Sequence, residues 1–177
     1  MPIKIIDTKI KGLLIVETQN FEDKRGYFTE TFNEEKYTFL DKNKRFLQDN
    51  FSYSKKNVLR GMHYQLAHPQ DKLIFVLKGE IFDVAVDIRQ GSPTFAEWYG
   101  INLSGENATQ LFIPEGFAHG FCVLSDEAYV YYKCTDVYYP DDQHGILWND
   151  PKVDIKWPVT SPNLSEKDKS LPIIENL

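Results

Sequence analysis

The chain contains four histidines, His63, His68, His119 and His144, few enough to weigh one at a time. His63 lies in Leu59-Arg60-Gly61-Met62-His63-Tyr64-Gln65, and His68 precedes a proline in a loop-like segment. His119 ends Pro114-Glu115-Gly116-Phe117-Ala118-His119, and His144 sits in a polar turn. A neutral imidazole titrates near working pH and can remove a weakly acidic proton next to a carbonyl. The enolate oxygen that then develops needs a nearby positive charge, which Lys72 would supply. Inversion at carbon also demands a second group on the opposite face, because a single base returns the proton to the side it left. Tyr129, Tyr131 and Tyr132, in a strand-like run, are the residues placed to donate that proton.

The same residues have plainer readings. His63 suits a hydrogen-bonded structural role, Lys72 a solvated strand edge, and the tyrosines a barrel wall or a dimer interface. Asp168 follows Ser165 at capping-box spacing, and a carboxylate spent on a cap would be badly placed to orient His63. Asp83 and Asp87 read as the exposed face of a strand and receive no role.

Those residues must be held by strands. Leu73 to Leu77 leads into a Lys78-Gly79 turn and then to Phe82, Val84, Val86 and Ile88, which share one face opposite Ile81, Asp83, Ala85 and Asp87. Further short strands are expected at Glu97–Leu103, Thr109–Ile113, His119–Leu124 and Ala128–Thr135, separated by Gly, Pro and Asn turns. Such spacing predicts an all-β sandwich or barrel. Helical pattern is scarce: a short helix over Asn33 to Asp41, and a turn opened by Ser165 as N-cap.

Length and composition set the outer limits. A chain of 177 residues supports one well-buried core, read as a single domain over 1–177, and 42% hydrophobic with 26% charged residues describes a soluble globular protein. The net charge of −6 argues against a nucleic-acid surface, while clustered Arg and Lys still allow a diphosphate ligand. The N-terminus lacks the apolar region of a secretory signal, and no apolar run is long enough for a membrane span. Cys122 and Cys134 lack metal or disulfide spacing and read as reduced structural thiols in a cytoplasmic protein.

Val76-Leu77-Lys78-Gly79, followed by Pro114-x-Gly116-x-x-His119, resembles the two cupin motifs, whose members normally bind a metal. The cupin glutamate belongs seven residues ahead of the turn glycine, where this chain has Lys72. A lysine ammonium there repels a divalent cation, and only His68 and His119 remain of the ligand set, so no metal is expected. A second resemblance is more specific. Asp23-x-Arg25-Gly26-x-Phe28-x-Glu30, Gln48-x-Asn50, Leu59-Arg60-Gly61-x-His63-Tyr64-Gln65 and Pro114 to Phe121 are similar, in order, to segments of the dTDP-4-dehydrorhamnose 3,5-epimerase family. Tyr132-Lys133-Cys134-Thr135, Gly145-Ile146-x-Trp148-Asn149-Asp150-Pro151 and Leu164-Ser165-x-Lys167-Asp168 continue the series to about residue 170.

The resemblance implies a cupin-like jelly-roll β-barrel with a few short helices, working without cofactor on a nucleotide-diphosphate sugar, in dTDP-rhamnose and surface-polysaccharide biosynthesis. It implies His63 as base oriented by Asp168, Tyr132 as acid and Lys72 as enolate stabiliser. Arg25, Glu30, Gln48, Asn50, Arg60, His119, Gln143 and Lys167 would hold the substrate, and Tyr138 would stack on the nucleobase. It also implies a homodimer, with the segment around Arg25 and Glu30 reaching the neighbour's site. Two departures bear on specificity: Gln143-His144 stands where the family usually has Glu-Arg, and Phe75 where a basic residue is common. Inversion of one carbon only, another nucleotide sugar such as a GDP-4-keto-heptose, a metal-dependent cupin and a non-catalytic binding module are the competing readings.

Overall fold

The computed structural model describes residues 2–176. Its strands, in chain order, are β1 (Lys4–Asp7), β2 (Leu14–Glu17), β3 (Asn20–Asp23), β4 (Gly26–Thr29), β5 (Gln48–Lys55), β6 (Leu59–Gln65) and β7 (Lys72–Lys78). There follow β8 (Glu80–Asp87), β9 (Trp98–Ser104), β10 (Thr109–Ile113), β11 (Phe117–Val123), β12 (Glu127–Cys134) and β13 (Gln143–Gly145), then one short helix, α1 (Glu166–Lys169). Every strand pairing is antiparallel. One sheet has the order β1-β2-β10-β7-β12-β5, the second β13-β6-β11-β8-β9, and β3-β4 forms a separate hairpin. The all-β barrel architecture expected from the spacing of turns is what the chain adopts, and no helix among the described residues is long and apolar enough to cross a membrane.

The barrel interior is filled from both sheets. Ile74, Val76, Leu111, Ile113, Ala128 and Val130 of the first meet Ile81, Ala85, Leu103, Phe117, Phe121 and Val123 of the second. Gly79 turns the chain from β7 to β8 with φ +81, and a Cβ there would lie 2.1 Å from the Glu127 carbonyl oxygen, so only glycine fits.

The faces of β8 differ from the sequence expectation. The side carrying Ile81, Asp83 and Ala85 looks into the barrel, and Asp83 and Asp87 are both fully buried. Phe82, Val84 and Val86 instead pack outside the sheet, under Val153, Ile155, Trp157 and Ile174 of the C-terminal segment. That segment covers the sheet's outer face, so β8 is apolar on both sides and its aspartates have no route to water.

The expected helix over 33–41 is a set of turns. Lys36 N and Tyr37 N both bond to Asn33 O, and Leu40 N bonds to Tyr37 O. Tyr37 and Phe39 pack as a tilted ring pair, Phe39 rests on Phe112, and the Tyr37 hydroxyl donates to Gln110 Oε1 at 3.0 Å. Side chains two apart that must both reach the sheet cannot share one face of an α-helix. Cys122 and Cys134 are free and buried, and burial pushes both thiols up to about 11.

Candidate active site

Two adjoining cavities, of about 510 and 300 Å³, open between the sheets and share His63, Lys72 and Tyr132 in their walls. His63 comes from β6 in one sheet; Lys72 and Tyr132 come from β7 and β12 in the other. The imidazole and the phenol therefore approach the cavity from opposing walls.

Glycines set the local geometry of the first wall. Gly61 has φ +125, and a Cβ on it would stand 2.6 Å from Gly120 Cα. A Cβ on Gly120 would lie 2.7 Å from Arg60 O. This close approach of β6 and β11 places His63 directly opposite His119 in the ladder, with a register shift immediately after.

His63 Nε2 lies 2.6 Å from Asp168 Oδ1. Asp168 is delivered by α1, whose N-cap Ser165 accepts a hydrogen bond from the Asp168 backbone N–H through Oγ at 3.1 Å. The cap uses the backbone N–H of Asp168, so capping coexists with the contact between its carboxylate and His63. Burial pushes the Asp168 carboxyl up, but the hydrogen bond and charge of His63, with the Ser165 hydroxyl and the Gly61 N–H, outweigh it and hold the group below its ordinary range. A permanent carboxylate fixes the proton of His63 on Nε2 and leaves Nδ1 as the basic nitrogen.

Burial lowers the Lys72 ammonium from its ordinary value, opposed by the neighbouring Cys134 and Asp83. Burial raises the Tyr132 phenol, with Cys134 and Tyr138 adding to it and Arg60 opposing, so Tyr132 stays protonated at neutral pH.

The remaining sequence-predicted residues divide between the cavities. Arg60, His119 and Lys167 line the larger. Arg60 is steered by Nε donating to Ser54 Oγ at 2.9 Å and Nη2 to Tyr53 O at 3.3 Å. Gln48, Asn50, Tyr138 and Gln143 line the smaller. They form a chain: Gln48 Nε2 donates to Asn50 Oδ1 at 2.8 Å, the Tyr138 N–H to Gln48 Oε1 at 2.7 Å, and the Tyr138 hydroxyl to Gln143 Oε1 at 2.7 Å. Lys167 Nζ also donates to Gln143 Oε1, at 2.8 Å, joining the two cavities.

Arg25 and Glu30 line neither cavity: Arg25 pairs with Asp23 on the β3–β4 hairpin, and Glu30 accepts from Lys36 and Asn33. Phe75 is buried on β7 opposite Tyr131, away from the site. His68 and His144 flank the Asp142 carboxylate instead of facing the cavities, and among the described residues no three His, Cys, Asp or Glu side chains gather to hold a metal.

Two further groups, one lining the larger cavity and one behind its wall, escaped the sequence reading. Ser52 Oγ, on the cavity side of β5, is buried without a hydrogen-bond partner. Asp83 holds His119 Nε2 between its two oxygens at 3.0 and 3.1 Å. The signal for Asp83 was present, since apolar residues on both faces of β8 leave no solvent side for an aspartate.

The model of the dTDP-4-dehydrorhamnose 3,5-epimerase family matches residues 7–176. A dTDP-4-dehydrorhamnose 3,5-epimerase of Methanothermobacter thermautotrophicus is 50% identical over 98% of this chain and 96% of its own length. One from Shigella flexneri is 52% identical over 94% of this chain and 93% of its own. The crystal structure of a Legionella pneumophila dTDP-6-deoxy-D-glucose-3,5-epimerase in complex with dTDP-4-keto-L-rhamnose superimposes with a TM-score of 0.95 at 50% identity, covering 98% of this chain and 94% of that one. Fold, cavity and sequence agree: the chain belongs to the dTDP-4-dehydrorhamnose 3,5-epimerase family and is an isomerase in reaction type.

Proposed function

We propose that the chain inverts both carbons flanking the C4 ketone of a dTDP-4-keto-6-deoxyhexose through enolate intermediates, with His63 as base and Tyr132 as acid. The observation that carries this reading is the approach of His63 and Tyr132 from opposing sheets to one cavity that also holds Lys72. His63 Nδ1 takes the proton from carbon; the C–H electron pair moves into the enolate, whose oxygen carries the charge opposite the Lys72 ammonium. Tyr132 then returns a proton from the other face and is left as phenolate until solvent restores it. The base contributes about 10²–10⁴-fold and one oxyanion partner about 10²–10³-fold. Asp168 keeps the imidazole in the productive tautomer and stabilises its protonated form.

Arg60 and Lys167 suit the diphosphate as cations at the mouth of the larger cavity, and His119 suits the sugar. Gln48, Asn50, Tyr138 and Gln143 suit the nucleoside in the smaller cavity, with Tyr138 stacking on the base. The relatives' names, which carry dTDP, support the nucleotide. Arg25 and Glu30 join the site from a second copy of the chain in a homodimer. Their hairpin presents Phe21, Tyr27 and Phe28, all exposed in the single chain, as the apolar surface that would dock. The two reduced cysteines support a cytoplasmic setting.

The test is proton NMR of dTDP-4-keto-6-deoxyglucose with the protein in D₂O, without added metal. Both ring protons next to the ketone exchange and the trapped product is inverted at both carbons, whereas His63→Ala slows exchange by about 10²-fold or more. Exchange at one carbon only would mark a mono-epimerase, and unchanged exchange in His63→Ala would remove the proposed base.

A further inference from the structure

Lys72 lies in the wall of both cavities, where burial works against its ammonium form. Among the described residues neither a hydrogen bond nor a close ion pair acts on it; its electrostatic neighbours are Cys134 and Asp83. Cys134, held up to about 11 by burial, is an uncharged thiol at neutral pH and gives no counter-charge. Tyr132, also from β12, is an uncharged phenol for the same reason. From β6, Arg60 adds a like charge and His63 is engaged with Asp168; from β11, His119 is engaged with Asp83. Asp83, from β8 in the opposite sheet, is thus the anion that acts on Lys72 from across the barrel.

Asp83 is fully buried between the apolar positions Ile81 and Ala85, so water does not screen its charge. Both of its oxygens sit at hydrogen-bond distance from His119 Nε2, and His119 is 8% exposed, which leaves the ring no room to swing away. An acceptor-only carboxylate dictates Nε2–H on that imidazole and leaves Nδ1 for whatever enters the cavity.

We propose that Asp83 is a positioning residue acting through two neighbours: it holds His119 in a single tautomer, and it keeps Lys72 positively charged where the enolate develops. The assignment rests on the enolate reading given above. The sign is fixed by charge: removing the anion lets Lys72 lose its proton at lower pH, so activity that needs the ammonium is lost earlier as pH rises.

Asp83→Asn is the discriminating variant, because the amide keeps the shape and an oxygen able to accept from His119 Nε2–H while the charge is gone. Exchange kinetics on dTDP-4-keto-6-deoxyglucose are followed from about pH 6 to about pH 10, with dTDP binding by calorimetry as the check on fold. The expected result is kcat reduced about tenfold or more at neutral pH. Its alkaline limb moves down by about one pH unit or more, with KM and dTDP affinity within about twofold of wild type. Adding Lys72→Arg, whose guanidinium stays charged without an anion beside it, abolishes the displaced limb. An unchanged pH profile in Asp83→Asn, or a loss of kcat in step with lost dTDP binding, would overturn the assignment. If Asp83→Asn does not fold, ¹⁵N NMR of the wild-type lysines decides. A protonated Lys72 at neutral pH, assigned by its disappearance in Lys72→Arg, supports the proposal, and a neutral amine refutes it. Wild-type protein without any exchange would sink the enolate reading instead, and the state of Lys72 alone would then decide the role of Asp83.

Discussion

At the scale of single residues, His63 and Tyr132 reach one cavity from different sheets, so the proposed reaction separates proton removal from proton return. Tyr132→Phe removes only the return. It is expected to lower formation of inverted product by about 10²–10⁴-fold, while His63-dependent exchange with D₂O continues with retention of configuration; NMR exchange set against product trapping separates the two. If product and exchange fell together, Tyr132 would be structural. A second residue, Asp87, carries stability. It accepts from the Arg89 guanidinium and backbone and from the Ser92 and Thr94 hydroxyls. Burial alone would raise its carboxyl, but those donors hold it down to about 2 from an ordinary 3.8. Depression means stability that is present above about pH 4 and lost as pH falls toward 2, worth about 2 kcal/mol. Thermal unfolding against pH should show this slope in the wild type and a flatter one in Asp87→Asn.

At the scale of elements, the C-terminal segment is the part that completes the site. It is tied to the barrel where Leu59 N donates to Asn163 O at 3.0 Å, Asn163 N to Asn57 O at 2.7 Å and Leu147 N to Pro172 O at 2.7 Å. Between these ties α1 is a single turn, too short to persist alone, so its cap matters more than its propensity. Ser165→Ala loosens the turn that aims Asp168. The expected cost is about 1 kcal/mol, felt locally. Consequently kcat should fall several-fold while the midpoint of denaturation barely moves; a large drop in the midpoint with normal kcat would contradict this division.

At the scale of the whole molecule, Arg25 and Glu30 stand apart from the cavities of their own chain. A shared site makes a specific prediction for mixtures. Arg25→Ala and His63→Ala homodimers are each deficient, but a mixed dimer contains one site with both wild-type residues. Subunit exchange should then restore about a quarter of wild-type activity, half of the dimers being mixed with one sound site each. No recovery, or solution scattering showing a monomer at working concentration, would remove the shared site.

Much was legible in the linear chain. Short-range periodicity and turn residues located β7 to β12 closely, with Thr109–Ile113 as observed, because alternation and Gly turns are local properties of a strand. The ordered motifs also named His63, Tyr132 and Asp168, and the vacant cupin glutamate position named Lys72; all four line the larger cavity. The early strands β1 to β6 and β13 were not located: β1, β3, β4 and β5 leave much of their surface exposed and lack a clean apolar pattern. What only the tertiary structure decided is which side of each element is inside. Apolar residues on both faces of β8 deny Asp83 a solvent side, but that it meets His119 inside the barrel, while the C-terminal segment covers the other face, is set only by the packing. Asp168 reads as either a cap or a partner of His63 until α1 shows its backbone N–H on the Ser165 cap and its carboxylate on the imidazole. The residue types and their order are written along the chain. Burial, and with it the charge state of groups such as Lys72, depends on contacts between segments far apart in sequence, and those exist only once the barrel closes.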